Sequence, residues 1–366
     1  MTGEELLDTE VDRAMDAERA SWKKFKVVSD VKLKSAKQVD ALRVNSRWVL
    51  RKKPKPGQPC AVKARLVAQE FNKGSYSDSF AATPTTVGQR ITLATGLKKK
   101  WQIGIVDIST AFLHAELPQK SPVYLVPPAT EGYSADMVWV AHKAVYGLRQ
   151  SPRLFQEHFA RRMAHHGRRR SRGDPQLYIH PDGLMSAHTD DLLIVAEKEA
   201  FDQIMATLEE EFVVKPAVLI EGSWVRYLGQ EYRRVGDVLQ VRILPDYYES
   251  ILNVLGLAEA KTKTVNTPIL EGTITAEGVE LTAEELKRYR CVVGKLLWLV
   301  GERPDVNFAV KELASAVSHA VVDDQRRLKH LARYVRKTLG MILTLSVKLE
   351  EVEAILKTVC DASWGS

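Results

Sequence analysis

Cysteine is scarce in this chain. Cys60, Cys291 and Cys360 are the only three among 366 residues, and no two lie close together. An odd count without a close pair argues against a disulfide framework and a zinc site, and points to a reducing, intracellular setting. Long apolar runs are missing as well. "DLLIVA" and "KLLWLV" are far shorter than the ~20 residues of a membrane span, so no membrane partner is expected. The opening "MTGEELLDTEVDRAMDAERASW" is acidic and amphipathic, unlike a signal peptide. There is no internal repeat and no low-complexity tract. The composition, 45% hydrophobic and 27% charged, is that of an ordinary globular chain of two to three domains.

What the chain has in excess is positive charge, a net +7. The basic residues are clustered: "RKKPKPG" at 51–57, "KKK" at 98–100, "RRRSR" at 168–172 and "DQRRLKHLARYVRK" at 324–337. A polyanionic partner would draw on such clusters. Solvated helix faces and loops would account for each of them equally well.

Periodicity and punctuation predict the elements. Residues 5–25 read as a helix, with Leu6, Leu7, Val11, Met15 and Trp22 at helical spacing. "RWVLRKK" and "AVKARLVAQEF" flank "PKPGQP", which reads as a hairpin with a basic loop. "TTVGQRITLATGLKKK" reads as a helix. "WQIGIVD" reads as a strand ending at Asp107, with Ser109 or Thr110 capping a following helix. "SPRLFQEHFARRMAHHG" has Pro at its start and Gly at its end, and is a helix by both signals. "QLYIH", "LMSAH" and "LLIVA" read as strands, joined by a Pro-Asp-Gly turn and by a second turn carrying Asp190 and Asp191. "EAFDQIMATLEEEF" is helical, and "WVRYLGQEYRRVGDVLQVRI" predicts a hairpin around "VGD". Helices are expected at 246–256, 282–301, 305–318 and 322–338, and strands in "LTLSVKLE" and "AILKTVCDASW". The expected class is α+β with a mostly helical C-terminal region.

Asp107, Asp190 and Asp191 each fall at a strand mouth or tight turn. Converging carboxylates suit Mg²⁺, a hard cation that takes oxygen ligands. Two such ions about 3.5–4 Å apart can activate a hydroxyl and stabilise a leaving pyrophosphate. A cation also offsets the repulsion between adjacent carboxylates. The plain alternative is an Asp-Asp doublet in a solvated hairpin turn, and spacing alone leaves both open.

The order of motifs goes further. "KARLVAQEFNKG", "VDISTAFLHAELPQKSPVYLVPP", "AVYGLRQSPRLFQEHF", "GDPQLYI", "HTDDLLIVAE", "YLGQEY", "YRCVVGKLLWLVGERPDVNFAVKELAS" and "CDASWGS" follow one another from about residue 45 to 366. In this order they resemble the reverse transcriptase of copia-type LTR retrotransposons. The resemblance implies a right-hand polymerase fold of fingers, palm and thumb, with an antiparallel palm sheet. Residues 1–44 would be a helical lead-in, 45–235 fingers and palm, 236–345 a mostly helical thumb and connection, and 346–366 the truncated start of an RNase H-like domain. The implied activity is RNA-directed DNA synthesis on an RNA or DNA primer-template from dNTPs. The implied context is a Gag-Pol polyprotein, in the cytoplasm or a virus-like particle.

Carried over residue by residue, the resemblance gives Asp107, Asp190 and Asp191 to two Mg²⁺ ions, with Mn²⁺ as a possible substitute. Phe112 would abut the sugar of the incoming nucleotide and exclude a 2′-hydroxyl; ordinary core packing is its other reading. Lys63 and Arg65 would clamp the triphosphate, Arg65 being favoured for its bidentate grip; surface charges on a strand are the alternative. Gly147, Gln150 and Pro152 would shape the nucleotide floor and approach the template. Leu228 and Gly229, with His188 and Thr189, would face the primer end. Arg326, Arg333 and Lys337, with their basic neighbours, would track a duplex backbone without reading its sequence.

Several positions depart from the family pattern. His188 and Thr189 replace the Tyr and Val of YVDD, Ala115 replaces a Gly, Arg168 replaces an aromatic, and Ser363 replaces an Asp. With Asp361 alone from the first RNase H strand, no RNase H activity is expected. Two rival expectations stand beside the polymerase. One is a catalytically inactive relic that keeps the fold and nucleic-acid binding; the other, a two-metal nuclease, leaves "YGLRQSPR" and Phe112 unexplained.

Overall fold

The computed structural model describes residues 8–33, 42–55, 58–71, 79–120, 122–259, 261–270 and 278–347. The "CDASWGS" motif, with Asp361 and Ser363, and most of the expected RNase H-like segment lie outside the described residues. The chain is mixed helix and sheet. It forms two compact units, one of residues 1–92 and 104–217, the other of 93–103 and 218–366.

The first unit opens with helix α1 (Asp8–Lys24) and strand β1 (Val28–Lys32). Strands β2 (Leu42–Lys55) and β3 (Gln58–Ala68) form the expected hairpin, antiparallel from Ser46↔Ala68 to Lys55↔Gln58. Strand alternation gives this hairpin two unlike faces. Val44, Trp48, Leu66 and Ala68 join Trp22 and Val27 in a core. Arg47, Arg51, Lys63 and Arg65 stand on the other face. Helix α1 is tied to β3 by Glu18, whose carboxylate accepts from the Leu66 N–H (3.3 Å) and Trp22 Nε1 (3.2 Å). Burial pushes the Glu18 carboxyl up. Strands β5 (Val123–Val126) and β6 (Met137–Ala141) complete a sheet of order β1-β6-β5-β2-β3, in which β2 and β5 run parallel.

A second sheet of this unit contains β4 (Gln102–Asp107), β10 (Asp191–Ala196), β9 (Gly183–His188), β8 (Leu177–His180) and β7 (Arg169–Arg170), in that order. Strands β7 to β10 are antiparallel neighbours. β10 is buried at Leu192 to Ala196 without alternation, as a strand covered on both faces must be. Helix α3 (Ser151–His165) supplies Phe155, Phe159 and Met163 to its core, and helix α4 (Lys198–Glu211) supplies Phe201, Ile204 and Leu208. Helix α2 (Thr86–Lys99) starts at Thr85, whose hydroxyl oxygen accepts from the Gly88 N–H (2.9 Å). The buried Asp174 of "GDPQLYI" accepts from the Thr85 N–H and hydroxyl at 2.9 and 2.8 Å. That motif aspartate therefore fixes a helix start.

In the second unit β11 (Val225–Tyr227), β12 (Gln230–Val235), β13 (Val238–Ile243) and β14 (Leu343–Ser346) form an antiparallel sheet. The sequence predicted one hairpin, around "VGD"; the structure has two. The additional turn is Leu228-Gly229, with φ of 46° and 82°, between paired Tyr227 and Gln230. Positive φ at both central residues suits the right-handed twist of a two-residue hairpin. Four helices follow: α5 (Pro245–Val254), α6 (Ala283–Leu299), α7 (Asn307–Ser315) and α8 (Val322–Lys337), close to the expected bounds. Thr282 and Glu285 form a reciprocal capping box at the start of α6. No described helix is long and apolar enough to cross a membrane.

The "RPD" segment supplies the polar anchor of this unit. Arg303 is 2% exposed. It donates to both Asp305 carboxylate oxygens at 2.9 and 2.8 Å, to Tyr248 Oη and to Thr338. Removing one partner of such a pair strands the other. Arg303→Ala is expected to destabilise this unit by about 3–5 kcal/mol, read by urea denaturation. Burial raises the Asp305 carboxyl, and its bonds to Arg303 more than reverse that, leaving it below its ordinary value. A carboxyl held low stabilises above its unfolded pKa and loses that contribution as pH falls through the folded one. The gap between wild type and variant should therefore narrow as pH falls below about 4.

Candidate active site

Strand β4 delivers Asp107 to its C-terminal end, and the chain is tied there from both sides. The Ile108 N–H donates to the Asp190 carbonyl (2.8 Å). Lys215 donates its N–H to the Asp107 carbonyl (3.0 Å). Asp190 belongs to the two-residue turn Thr189-Asp190, and Asp191 is the first residue of β10, paired opposite His188. The expectation of both aspartates in the turn is thus corrected for Asp191. Thr189 has φ 57°, a left-handed conformation that a β-branched residue adopts only under strain. The half-buried His188 sits one residue before it.

The three carboxylates share one field. Burial pushes the Asp191 carboxyl up, and the charges of Asp190 and Asp107 push it further. The Asp107 carboxylate is paired with the Lys215 ammonium at 2.8 Å. Among the described residues no three His, Cys, Asp or Glu side chains are gathered as a ready metal cage. The donor set is nonetheless one that suits magnesium: hard oxygens under mutual repulsion, with a cation already held at Asp107.

After Asp107 the expected capped helix is replaced by a single 3₁₀ turn, Ala111–His114. Thr110 enters it at φ 52° without a side-chain cap, its hydroxyl donating to the Ser109 carbonyl instead. The turn sets the half-buried Phe112 ring 4.8 Å from Tyr146 and 6.3 Å from Phe155. Tyr146 also carries the Arg65 guanidinium over its ring, at 4.3 Å. Burial pushes the Tyr146 hydroxyl up to about 12. Gly147 follows at φ 91°, and a Cβ there would lie 1.9 Å from the Ala68 carbonyl oxygen. That contact lets the turn press against the end of β3, where the Ala68 N–H donates to the Tyr146 carbonyl (2.7 Å). Gln150 precedes α3 and Pro152 lies in its first turn.

Lys63 and Arg65 line a cavity of about 560 Å³ with Arg47, Arg51, Tyr146 and Gly147. Glu70, 7% exposed, lines it too and accepts from the Arg149 N–H (2.8 Å). In the second unit, a Cβ on Gly229 would lie 3.2 Å from the Trp298 ring. On α8, Arg326 and Lys337 are exposed. Lys337 bonds the Asn266 side chain, and Arg333 has its Nε buried without a hydrogen-bond partner. The basic run is therefore a partly engaged helix face.

Sequence reasoning missed Lys215 and Tyr146. Nothing in "VVKPA" marked the lysine. Tyr146 lay inside a quoted motif, but its ring contacts span three separate segments. Of the departures, Ala115 is buried in the core, where its methyl is accommodated. Arg168 is 7% exposed, and its Nη1 is buried without a hydrogen-bond partner. Burial lowers its pKa. Arg168→Phe should therefore stabilise this unit by about 1–3 kcal/mol, read as a raised urea midpoint with unchanged slope.

Known proteins resemble this chain along most of its length. Residues 25–271 match the family described as reverse transcriptase (RNA-dependent DNA polymerase). The chain is 27% identical over 307 residues to the Pol polyprotein of transposon RE1 of Arabidopsis thaliana, covering 81% of this chain and 20% of that protein. It is 25% identical over 372 residues to that of transposon TNT 1-94 of Nicotiana tabacum, covering 96% of this chain and 27% of that protein. It is 26% identical over 271 residues to the putative transposon Ty5-1 protein of Saccharomyces cerevisiae, covering 71% and 84%. The chain thus spans about a fifth of the RE1 polyprotein's length. Among solved structures it is distantly similar to a foamy viral protease-reverse transcriptase in complex with dsDNA, at TM-score 0.48 and 14% identity, covering 90% of this chain and 57% of that one. With a family match over more than half its length and copia-type relatives along it, the chain belongs to the reverse transcriptases of copia-type retrotransposons.

Proposed function

We propose that this chain is an RNA-directed DNA polymerase that extends a primer on an RNA or DNA template. The observation that carries this reading is the junction of β4 with the Thr189-Asp190 turn, where Asp190 and Asp107 both raise the Asp191 carboxyl. In the reaction, the primer 3′-oxygen forms a bond to the α-phosphorus of a dNTP. The α–β phosphoanhydride bond breaks, pyrophosphate leaves, and the hydroxyl proton is lost to solvent. Asp107, Asp190 and Asp191 would hold two Mg²⁺ ions, or Mn²⁺. Bound there, the metal supplies Lewis acidity to the attacking and leaving oxygens.

The remaining roles belong to the chain. Lys63 and Arg65 grip the triphosphate, whose charge suits their basic cavity. Phe112 excludes a 2′-hydroxyl. Gly147 and Gln150 form the floor beneath the nucleotide, and Pro152 approaches the template. His188, Thr189, Leu228 and Gly229 steady the primer end. Arg326, Arg333 and Lys337 follow the duplex backbone, so binding should weaken with salt. Residues 45–235 act as fingers and palm and 236–345 as thumb and connection, within a Gag-Pol polyprotein inside the cell.

The relic reading is favoured by one observation, the replacement of the motif's Tyr-Val by His188 and Thr189, the latter strained at the turn. A 5′-labelled primer on an RNA template separates the readings. Polymerisation lengthens the label only when dNTPs are added. Shortening without dNTPs would instead mark a nuclease, and binding without any change of length would mark the relic.

A further inference from the structure

One side chain connects the groups proposed for sugar and for phosphate recognition. Tyr146 touches Phe112 at 4.8 Å and 59° between ring planes, and the Arg65 guanidinium at 4.3 Å. Its backbone cannot drift, because the Ala68 N–H holds its carbonyl and Gly147 lies against the Ala68 oxygen. The contacts fit their chemistry. A guanidinium over a phenol ring gains cation–π attraction, and tilted rings at this spacing attract through their quadrupoles.

We propose that Tyr146 is a specificity-determining residue. Its ring holds Phe112 and Arg65 in one stack, so that exclusion of a 2′-hydroxyl and grip on the triphosphate are set together. This rests on the polymerase reading above and adds a coupling to it. A ring wedge that stands alone can rotate away from a ribose. One braced by Tyr146 cannot move without disturbing the cation that holds the phosphates. Discrimination against rNTPs should then depend on Arg65, a residue whose own contact is with phosphate.

The test is steady-state incorporation of dTTP and UTP by the full chain on poly(rA)/oligo(dT). Tyr146→Leu should narrow the dTTP/UTP ratio of kcat/KM by about tenfold or more and raise KM for dTTP. Tyr146→Phe keeps the ring and should hold the ratio within about twofold. Arg65→Lys keeps the charge but loses the planar stack, and should narrow the ratio too. In a double-mutant cycle, Arg65→Lys and Phe112→Val should be non-additive in their effect on it. An unchanged ratio in Tyr146→Leu, or additivity in the cycle, overturns the proposal while leaving the polymerase reading intact. If Tyr146→Leu does not fold, by circular dichroism, the cycle decides alone. If wild type makes no Mg²⁺-dependent product, the polymerase reading falls. The coupling is then judged by equilibrium binding of dTTP and UTP to protein with primer-template. A dTTP preference lost in Arg65→Lys supports it, and no preference in wild type overturns it.

Discussion

Asp190→Asn should abolish primer extension, by about a thousandfold or more, and leave primer-template binding measurable. Asparagine matches aspartate in size, so the turn keeps its shape. The hydrogen bond from Ile108 is to the Asp190 backbone carbonyl, and substitution of the side chain leaves it in place. What disappears is a charge. If that charge helps hold a metal that acts on both oxygens of the displacement, the loss falls on the chemical step, where electrostatic contributions are largest. A second readout follows from the shared field. With one neighbouring charge removed, the Asp191 carboxyl should titrate closer to its ordinary value, since Asp190 is one of the groups that raise it. Product formation by the variant at the wild-type rate would break the ligand assignment.

Gly147→Ala should be among the most damaging substitutions in the first unit, costing more than about 4 kcal/mol. Two effects combine at this site. The residue sits at φ 91°, where any side chain is strained, and its new Cβ would lie 1.9 Å from a backbone oxygen that cannot swing aside. Gly132→Ala is the control. It too has positive φ, 71°, but nothing lies within 4 Å of its Cβ position, so only the conformational cost of about 1–2 kcal/mol should appear. Urea denaturation of both variants separates clash from strain. Equal small losses would mean that the Tyr146-Gly147 turn is not pressed against β3.

Much of this molecule could be read from the sequence where local signals were strong. Helix α3 was legible from Pro152, Gly167 and its apolar stripe, and the β2–β3 hairpin from Pro and Gly between two extended arms. Asp107, Asp190 and Asp191 were legible as a group only through collinear motifs, since two carboxylates in a turn have an ordinary explanation. The misses have physical causes. Ser109 and Thr110 looked like caps, but the ties from Ile108 and Ser109 to Asp190 and Val213 leave room for only one 3₁₀ turn. Asp191 was placed in a turn because the tightness of a two-residue hairpin depends on the backbone at Thr189, which composition does not reveal. The Leu228-Gly229 turn was legible only through the resemblance of "YLGQEY" to a primer-side turn; the residue pattern hid it because leucine rarely takes a positive φ. Strand β6 was not anticipated, because its pairing with β1 joins segments more than a hundred residues apart. Lys215 and Tyr146 owe their positions to tertiary contacts that no local pattern carries.

The most direct test of the polymerase assignment is extension of labelled oligo(dT) on poly(rA) by the full chain with dTTP and MgCl₂. A ladder of lengthened product that requires Mg²⁺ or Mn²⁺ and is absent with EDTA is the result expected of a polymerase. Folded protein that binds the primer-template and yields no lengthened product with either metal would contradict the assignment.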